Sequence, residues 1–307
     1  MILCAGEALI DMLPRESTRG ESAFAPFAGG SVFNTAIALG RLGAPSGFFT
    51  GLSTDLFGKI LSDALAASGV DASFAAMSDR PTTLAFVTLT DGQANYAFYD
   101  ENSAGRMLSP AALPALDNSV NALFFGGISL AVEPCALAYE ALLSREADQR
   151  VIMIDPNIRQ GFIRDEDTYR DRITGMMASA DIIKVSDEDL AWLVGHNELS
   201  RAARQLLDAG AKIVCVTEGA DGVTGHMANG GVKVVANQVD VVDTVGAGDT
   251  FNAGVLASLH EAGVLAKDRI GQIDDATLRD ALMLGARAAA VTVSRAGANP
   301  PTRAELE

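Results

Sequence analysis

The sequence is short of positive charge. It sets 23 Lys and Arg against 39 Asp and Glu, a formal net charge of −16 over 307 residues. Nucleic acid and anionic membranes are bound through basic surfaces, so neither is expected as a general partner. Cysteine is scarce as well: Cys4, Cys135 and Cys215 are widely separated, and two of them lie in apolar, strand-like runs. That set is poor material for a disulfide framework or a Cys-rich metal site. The three histidines, His196, His226 and His260, lack metal-ligand spacing, which argues against zinc. No uninterrupted apolar run reaches membrane-spanning length. The opening Met1-Ile2-Leu3-Cys4-Ala5-Gly6-Glu7 has no basic stretch and reads as a first core strand rather than a signal peptide. A cytoplasmic soluble protein is the expectation.

What the chain does have is an ordinary globular balance, with 49% hydrophobic and 20% charged residues, which excludes wholesale disorder. Aromatics are only 6%, so the core must lean on Ala, Val, Leu and Ile. The length allows one large α/β domain or two smaller ones. Short apolar runs at 2–5, 46–50, 122–126, 151–155, 182–185 and 213–217 predict strands. Between them, one-faced apolar patterns at 32–42, 59–68, 134–145 and 200–209 predict helices. Strand and helix in alternation, with strands apolar throughout, point to a mainly parallel sheet covered on both faces.

Two regions break the alternation. Residues 12–28 carry polar, Gly and Pro punctuation, and 83–90 with 94–99 flank Asp91-Gly92-Gln93 as a hairpin would. Both are expected to form a small β lid, made of 12–28 and 83–105, over a core of 1–11, 29–82 and 106–307. Residues 233–242 read as strands leading into a turn and a long Ala-rich helix.

That turn is the sharpest local feature: Asp243-Thr244-Val245-Gly246-Ala247-Gly248-Asp249-Thr250-Phe251, between the apolar run 239–242 and a helical pattern at 251–259. A glycine turn at a helix start presents backbone N–H groups and the positive end of the helix dipole, which suits a phosphate. Asp249 is out of place there, since a carboxylate repels phosphate. It makes chemical sense as the base for a hydroxyl attacking phosphorus, and equally as a helix cap. On this segment alone the two readings stand level. Other nucleotide motifs fail: Gly58-Lys59 is followed by Ile60, with Ser53 at the first glycine position of a P-loop. Gly6-Glu7-Ala8 lacks the later glycines of a dinucleotide fingerprint, and no Gly-x-Ser-x-Gly elbow occurs.

A second feature is Ala28-Gly29-Gly30-Ser31-Val32-Phe33-Asn34, opening a helix that runs to Gly40-Arg41-Leu42-Gly43. Taken alone, it is explained by tight packing of a helix entrance more readily than by ligand binding. Asp11, expected to close the first strand, is placed to hold vicinal hydroxyls, or is a simple turn residue.

Together these segments resemble the PfkB (ribokinase-like) carbohydrate kinase family, whose N-terminal signature is similar to the Gly29–Gly43 stretch and whose C-terminal signature is similar to Asp243 through Asp249. The resemblance covers nearly the whole chain. It is greatest to the bacterial fructokinases, through Gly6-Glu7-Ala8-Leu9-Ile10-Asp11, Phe98-Tyr99, Ser103-Ala104, Met107-Leu108 and Asp155-Pro156-Asn157-Ile158-Arg159. It implies an α/β/α core, ATP as donor, Mg²⁺, and a homodimer through the lid. It places Asp249 as catalytic base, Gly246, Ala247 and Gly248 in an anion hole, and Asp11, Gly29, Gly30, Asn34, Phe98 and Arg159 on the sugar. Lys184, Thr217, Gly219 and Gly222 would lie along the nucleotide. Asp189, where the family often has Glu, would reach Mg²⁺ through water, and Asp243 would serve a monovalent cation such as K⁺. Ala286-Arg287-Ala288-Ala289-Ala290 lacks the Asn that the family commonly has beside adenine. A phenylalanine in a hairpin such as Phe98 more often packs than contacts a ligand, and an ion pair with Asp155 or Asp165 would explain Arg159. Lys184 would otherwise simply end a strand, and Thr217-Glu218-Gly219 would simply turn. The implied reaction is phosphorylation of a ketohexose, D-fructose first. 2-Keto-3-deoxygluconate, ribose or a nucleoside are the alternative acceptors, and a silent sugar or nucleotide sensor is the alternative of another class.

Overall fold

The computed structural model describes residues 1–90, 93–196 and 198–307. In chain order its elements are β1 (Ile2–Ala5), β2 (Leu9–Glu16), β3 (Ser22–Gly29), α1 (Ser31–Arg41), β4 (Ser46–Phe49), β5 (Gly51–Ser53), α2 (Leu56–Ala67) and β6 (Ala76–Ser78). Then come β7 (Leu84–Thr90), β8 (Gln93–Tyr99), β9 (Ala122–Gly126), α3 (Cys135–Glu146), β10 (Val151–Asp155), α4 (Glu166–Ala178), β11 (Ile182–Ser186) and α5 (Asp187–Val194). The chain continues with α6 (Leu199–Asp208), β12 (Ile213–Thr217), β13 (Val223–Met227), β14 (Gly230–Val234), α7 (Ala247–Glu261) and α8 (Asp275–Val293).

The central sheet has the order β14-β13-β12-β11-β10-β9-β1-β4. It is parallel from β4 through β12, and β13 and β14 extend that edge as an antiparallel hairpin. All six strand expectations and all four helix expectations fall on these elements. The continuous apolar character of the strands has a plain cause. Successive side chains point to opposite faces, and both faces are covered. Ile2, Cys4 and Phe124 enter one core with Phe33 of α1, Leu256 of α7 and Leu282 of α8. Leu3, Ala5 and Phe125 enter the other with Tyr139 of α3, Ile173 of α4 and Ala202 of α6. The three cysteines are buried and free. Among the described residues no helix is long and apolar enough to cross a membrane.

A second sheet, β3-β2-β7-β8, stands apart from the first. β2 and β3 pair antiparallel from Leu9↔Gly29 to Glu16↔Ser22, and β7 pairs antiparallel with β8 from Leu84↔Tyr99 to Thr90↔Gln93. The two hairpins join in parallel through Asp11↔Ala85. These strands begin three residues earlier and end one residue later than the 12–28 span read from the sequence. The expected hairpin turn at Asp91-Gly92 lies outside the described residues.

Two expectations need correction. Asp11 does not close the first strand: β1 ends at Ala5, the chain breaks at Gly6-Glu7-Ala8, and Asp11 is the third residue of β2. The predicted strands at 233–242 stop at Val234. β14 is the sheet edge, and beyond it the valines at 235, 239, 241 and 242 are exposed rather than packed, so among the described residues no neighbouring strand holds them in register.

Candidate active site

α7 brings the glycine turn to the carboxyl end of the parallel strands, the usual ligand edge of an open α/β sheet. Gly246 is its N-cap, in left-handed conformation with φ 79°, and Asp249 is its third residue. The cap reading of Asp249 is therefore overturned: no side chain caps α7, and the carboxylate turns elsewhere. Its Oδ2 accepts a 2.9 Å bond from Asn34 Nδ2 on α1. Thr35 Oγ1 donates to the Asp249 carbonyl at 3.2 Å, a second tie between the two helices. Asp249 is only 8% exposed. Burial pushes its carboxyl up to about 6, against the Asn34 bond, which favours the ionised form.

In the first turn of α7, the Ala247 N–H donates to Thr244 O at 3.3 Å. The N–H groups of Gly248 and Asp249 have no acceptor within the described protein. Beside them lies the buried ammonium of Lys184: a Cβ at Gly248 would meet Lys184 Nζ at 3.2 Å. Lys184 sits in the middle of β11 rather than at its end, and it donates to Asp155 Oδ2 at 3.0 Å. The same oxygen accepts Asn252 Nδ2 at 2.8 Å. Burial alone would lower the lysine pKa, but Asp155 first, then Asp189 and Asp249, outweigh it and hold the pKa above its ordinary value.

Asp189 lies in the first turn of α5, capped by Ser186 Oγ at 3.0 Å. Burial and the Asp155 charge raise its carboxyl above the usual range, moderated by Lys184. Asp243 accepts Val245 N at 3.0 Å and Gly297 N at 2.9 Å, tying the turn to the C-terminal segment. Among the described residues no three His, Cys, Asp or Glu side chains form a cluster able to hold a metal ion by themselves.

A cavity of about 1110 Å³ opens beside this turn. Lys184, Thr217, Gly219 and Gly222 all line it, together with Ala247, Gly248 and the small side chains Ala286, Ala289 and Ala290 of α8. Thr217 ends β12, and Gly219 and Gly222 both carry positive φ in the turn to β13. The segment therefore turns, as expected, and the same residues border the cavity.

The remaining candidates gather under the second sheet. Asp11 pairs across β2 with Ala85, which pairs with Phe98, so the three share one face. Gly29 leaves the room that the Asp11 carboxylate occupies, since a Cβ there would collide with Oδ2. Burial pushes Asp11 up to about 6. Phe98 stacks on Tyr96 with centroids 5.8 Å apart and meets Phe162 edge-on at 4.3 Å. Arg159 is exposed, bonds the carbonyl of Ile158 at 3.1 Å, and pairs with neither acid suggested for it. Asp155 is taken by Lys184 and Asn252, and Asp165 caps α4 through Thr168 N.

Sequence reasoning missed three members of this arrangement. Asn252 follows Asp249 by three residues, one turn along the same helix face, which is a readable signal. Asp155 ends a predicted strand, yet its two buried partners come from β11 and α7. Glu7 is buried at 9% exposure between α1 and the Gly127–Ser129 turn, and burial pushes its carboxyl up to about 7.

A family model described as pfkB family carbohydrate kinase matches residues 1–305. A fructokinase from Rhizobium leguminosarum bv. trifolii is 54% identical over 280 residues, covering 91% of this chain and 86% of that protein. Among solved structures, a Xylella fastidiosa fructokinase with bound ATP is similar at a TM-score of 0.88 and 28% identity, covering 99% of this chain and 96% of the other. An aminoimidazole riboside kinase from Salmonella enterica is similar at 0.86 and 27%, covering 99% and 97%.

Proposed function

We propose that this chain, which belongs to the pfkB family of carbohydrate kinases, transfers the γ-phosphoryl group of ATP to a hydroxyl of D-fructose, with Asp249 as general base. The single observation that carries the reading is the buried Asp249 carboxylate, held by Asn34 beside two unpaired backbone N–H groups. A base and an anion receptor on one helix turn are what phosphoryl transfer to an alcohol requires.

The chain's residues divide the work by position. Asp11, Asn34 and Arg159 offer one acceptor and two donors to sugar hydroxyls, and Phe98 with Tyr96 offers an apolar wall. Asp249 takes the proton of the attacking hydroxyl at its carboxylate. The Gly248 and Asp249 N–H groups and the Lys184 ammonium face charge developing on the transferred group, with Gly246 and Ala247 shaping the turn. Thr217, Gly219 and Gly222 border the nucleotide, and Ala286, Ala289 and Ala290 give adenine a flat apolar floor. The second sheet closes over the sugar and keeps water from intercepting the phosphoryl group.

Mg²⁺ fits the donor set. It is commonly held by one or two carboxylates plus substrate phosphates, and the half-buried Asp189 supplies such a group without a preformed cage. When bound, it would neutralise charge on the phosphate oxygens. For K⁺, Asp243 is a single carboxylate already accepting two backbone bonds, which fits one ligand of a monovalent-cation loop. The 54% identity to a fructokinase supports fructose over 2-keto-3-deoxygluconate or ribose. The riboside kinase, nearly as similar in fold, makes a nucleoside the acceptor to compare. ADP formation across a panel of these acceptors tests the reading: fructose should rank first, and sugar binding without ADP release would return the protein to the sensor class.

The free cysteines suit a reducing compartment, the cytoplasm. On the second sheet Phe24, Phe86 and Tyr99 form an edge-on ladder, with Phe24 and Tyr99 44% and 63% exposed. A second copy docking there gives the homodimer. A monomeric mass by light scattering at assay concentration would remove it.

A further inference from the structure

Helix α1 carries Asn34, yet no side chain of its own caps its start: Gly30 is the N-cap. The cap comes from Glu7, in the break between β1 and β2. Glu7 Oε1 accepts the Ser31 N–H at 2.9 Å, and Oε2 accepts the Ser129 N–H at 3.3 Å. Two glycines are shaped around this carboxylate. Gly30 has φ 110°, and a Cβ there would lie 2.8 Å from the Glu7 carbonyl oxygen. Gly127 has φ 70°, and a Cβ there would collide with the carboxylate itself. A buried acid with both oxygens bonded and its neighbours cut back to glycine is a built fitting between two loops.

We infer that Glu7 is a positioning residue of the kinase reaction: it fixes the start of α1, and through α1 it sets the Asn34 amide against the Asp249 carboxylate. Asn34 lies one turn inside the helix, and its N–H bonds Gly30 O at 2.8 Å, so a shift of the helix entrance moves the amide directly. A misplacement of 1 Å at a reacting group can cost on the order of 10²-fold in rate.

The inference rests on Asp249 as base, and the test separates the two. Glu7→Gln keeps one acceptor oxygen but loses the second. It should lower kcat about tenfold, within that limit, with the KM for ATP unchanged. In an Asn34→Ala background the same substitution should change kcat less than about twofold, because the link it acts through is gone. Gly127→Ala, which displaces the carboxylate from outside, should reproduce the loss and its disappearance. Rates are normalised to folded protein, so lost helix capping alone gives equal changes in both backgrounds. Equal losses in the two backgrounds, or a rise in the KM for ATP at constant kcat, overturn the Glu7 role. Near-normal turnover in Asp249→Asn instead overturns the base and leaves an additive or coupled cycle still readable.

Discussion

Asn34 and Asp249 are 215 residues apart in the chain, and the amide of one donates to the carboxylate of the other at 2.9 Å. That bond joins the entrances of α1 and α7, the two glycine-led helices that carry the sequence signatures. It also sets the chemistry of the acid. Burial raises the Asp249 pKa and the amide lowers it, leaving the group at about 6.

Replacing Asp249 by Asn keeps the shape and removes the proposed base. Turnover should fall by ~10²–10⁴-fold, the usual contribution of a positioned base. Circular dichroism and a thermal melt confirm that the variant is folded. Turnover within a factor of two of the parent would show that another group accepts the proton.

The pH profile follows from the sign of the shift. As the proposed base Asp249 must be ionised, so kcat/KM should fall as pH drops through about 6. Asn34→Ala removes a hydrogen bond that favours the ionised form, so the acid limb should move to higher pH. A limb that stays in place or moves down argues against the Asn34–Asp249 bond as the tuning element.

Lys184 and Asp155 form a buried ion pair, 7% and 1% exposed. Among the described residues, Lys184→Met leaves the charged Asp155 with only Asn252 Nδ2 and the Asn157 N–H as hydrogen-bond donors. Removing one partner of such a pair costs about 3–5 kcal/mol. Adding Asp155→Asn should recover most of the stability in a denaturant melt. Recovery of activity along with stability would mean that Lys184 serves the fold alone.

Glu7 gives a stability signature of its own. Its folded pKa of about 7 lies above the ordinary 4.5, so the folded state binds the proton more tightly than the unfolded chain. Its contribution to stability is full below pH 4.5 and is lost as pH rises toward 7. Glu7→Gln stays neutral throughout. The Tm of the variant minus that of the parent should therefore climb across this window, and a flat difference would refute the shift.

Gly246 must keep its left-handed backbone. Gly246→Ala adds a strain of ~1–2 kcal/mol, and its Cβ would lie 2.8 Å from Ala298 Cβ. The melting temperature should fall, and kcat with it, as the first turn of α7 is pushed out of line. An unchanged melt would show that the turn relaxes freely.

The layered architecture could be read from the sequence because each central strand is apolar on both faces, a pattern that needs no distant information. The glycine turn and Asp249 were legible for the same local reason. Asp11 belongs to β2 and not to β1, because Gly6-Glu7-Ala8 interrupts the apolar run and Leu9-Ile10 begin a new strand that pairs in the second sheet. The valines beyond Val234 suggest a strand by composition, and only the lack of a neighbour beyond the sheet edge denies it.

Which groups meet is another matter. The sequence by itself determined the strands, the helices and the chemical types at the two signatures, since these depend on periodicity and on side chains a few residues apart. The tertiary structure decided that Asp249 faces Asn34 rather than capping its helix. It decided that Lys184 pairs with Asp155, and that Glu7 holds the start of α1. Each of those contacts joins segments more than 20 residues apart, and each owes its strength to burial. Hydrogen bonds and charges that would be weak in water become strong where the packed sheet and helices exclude it.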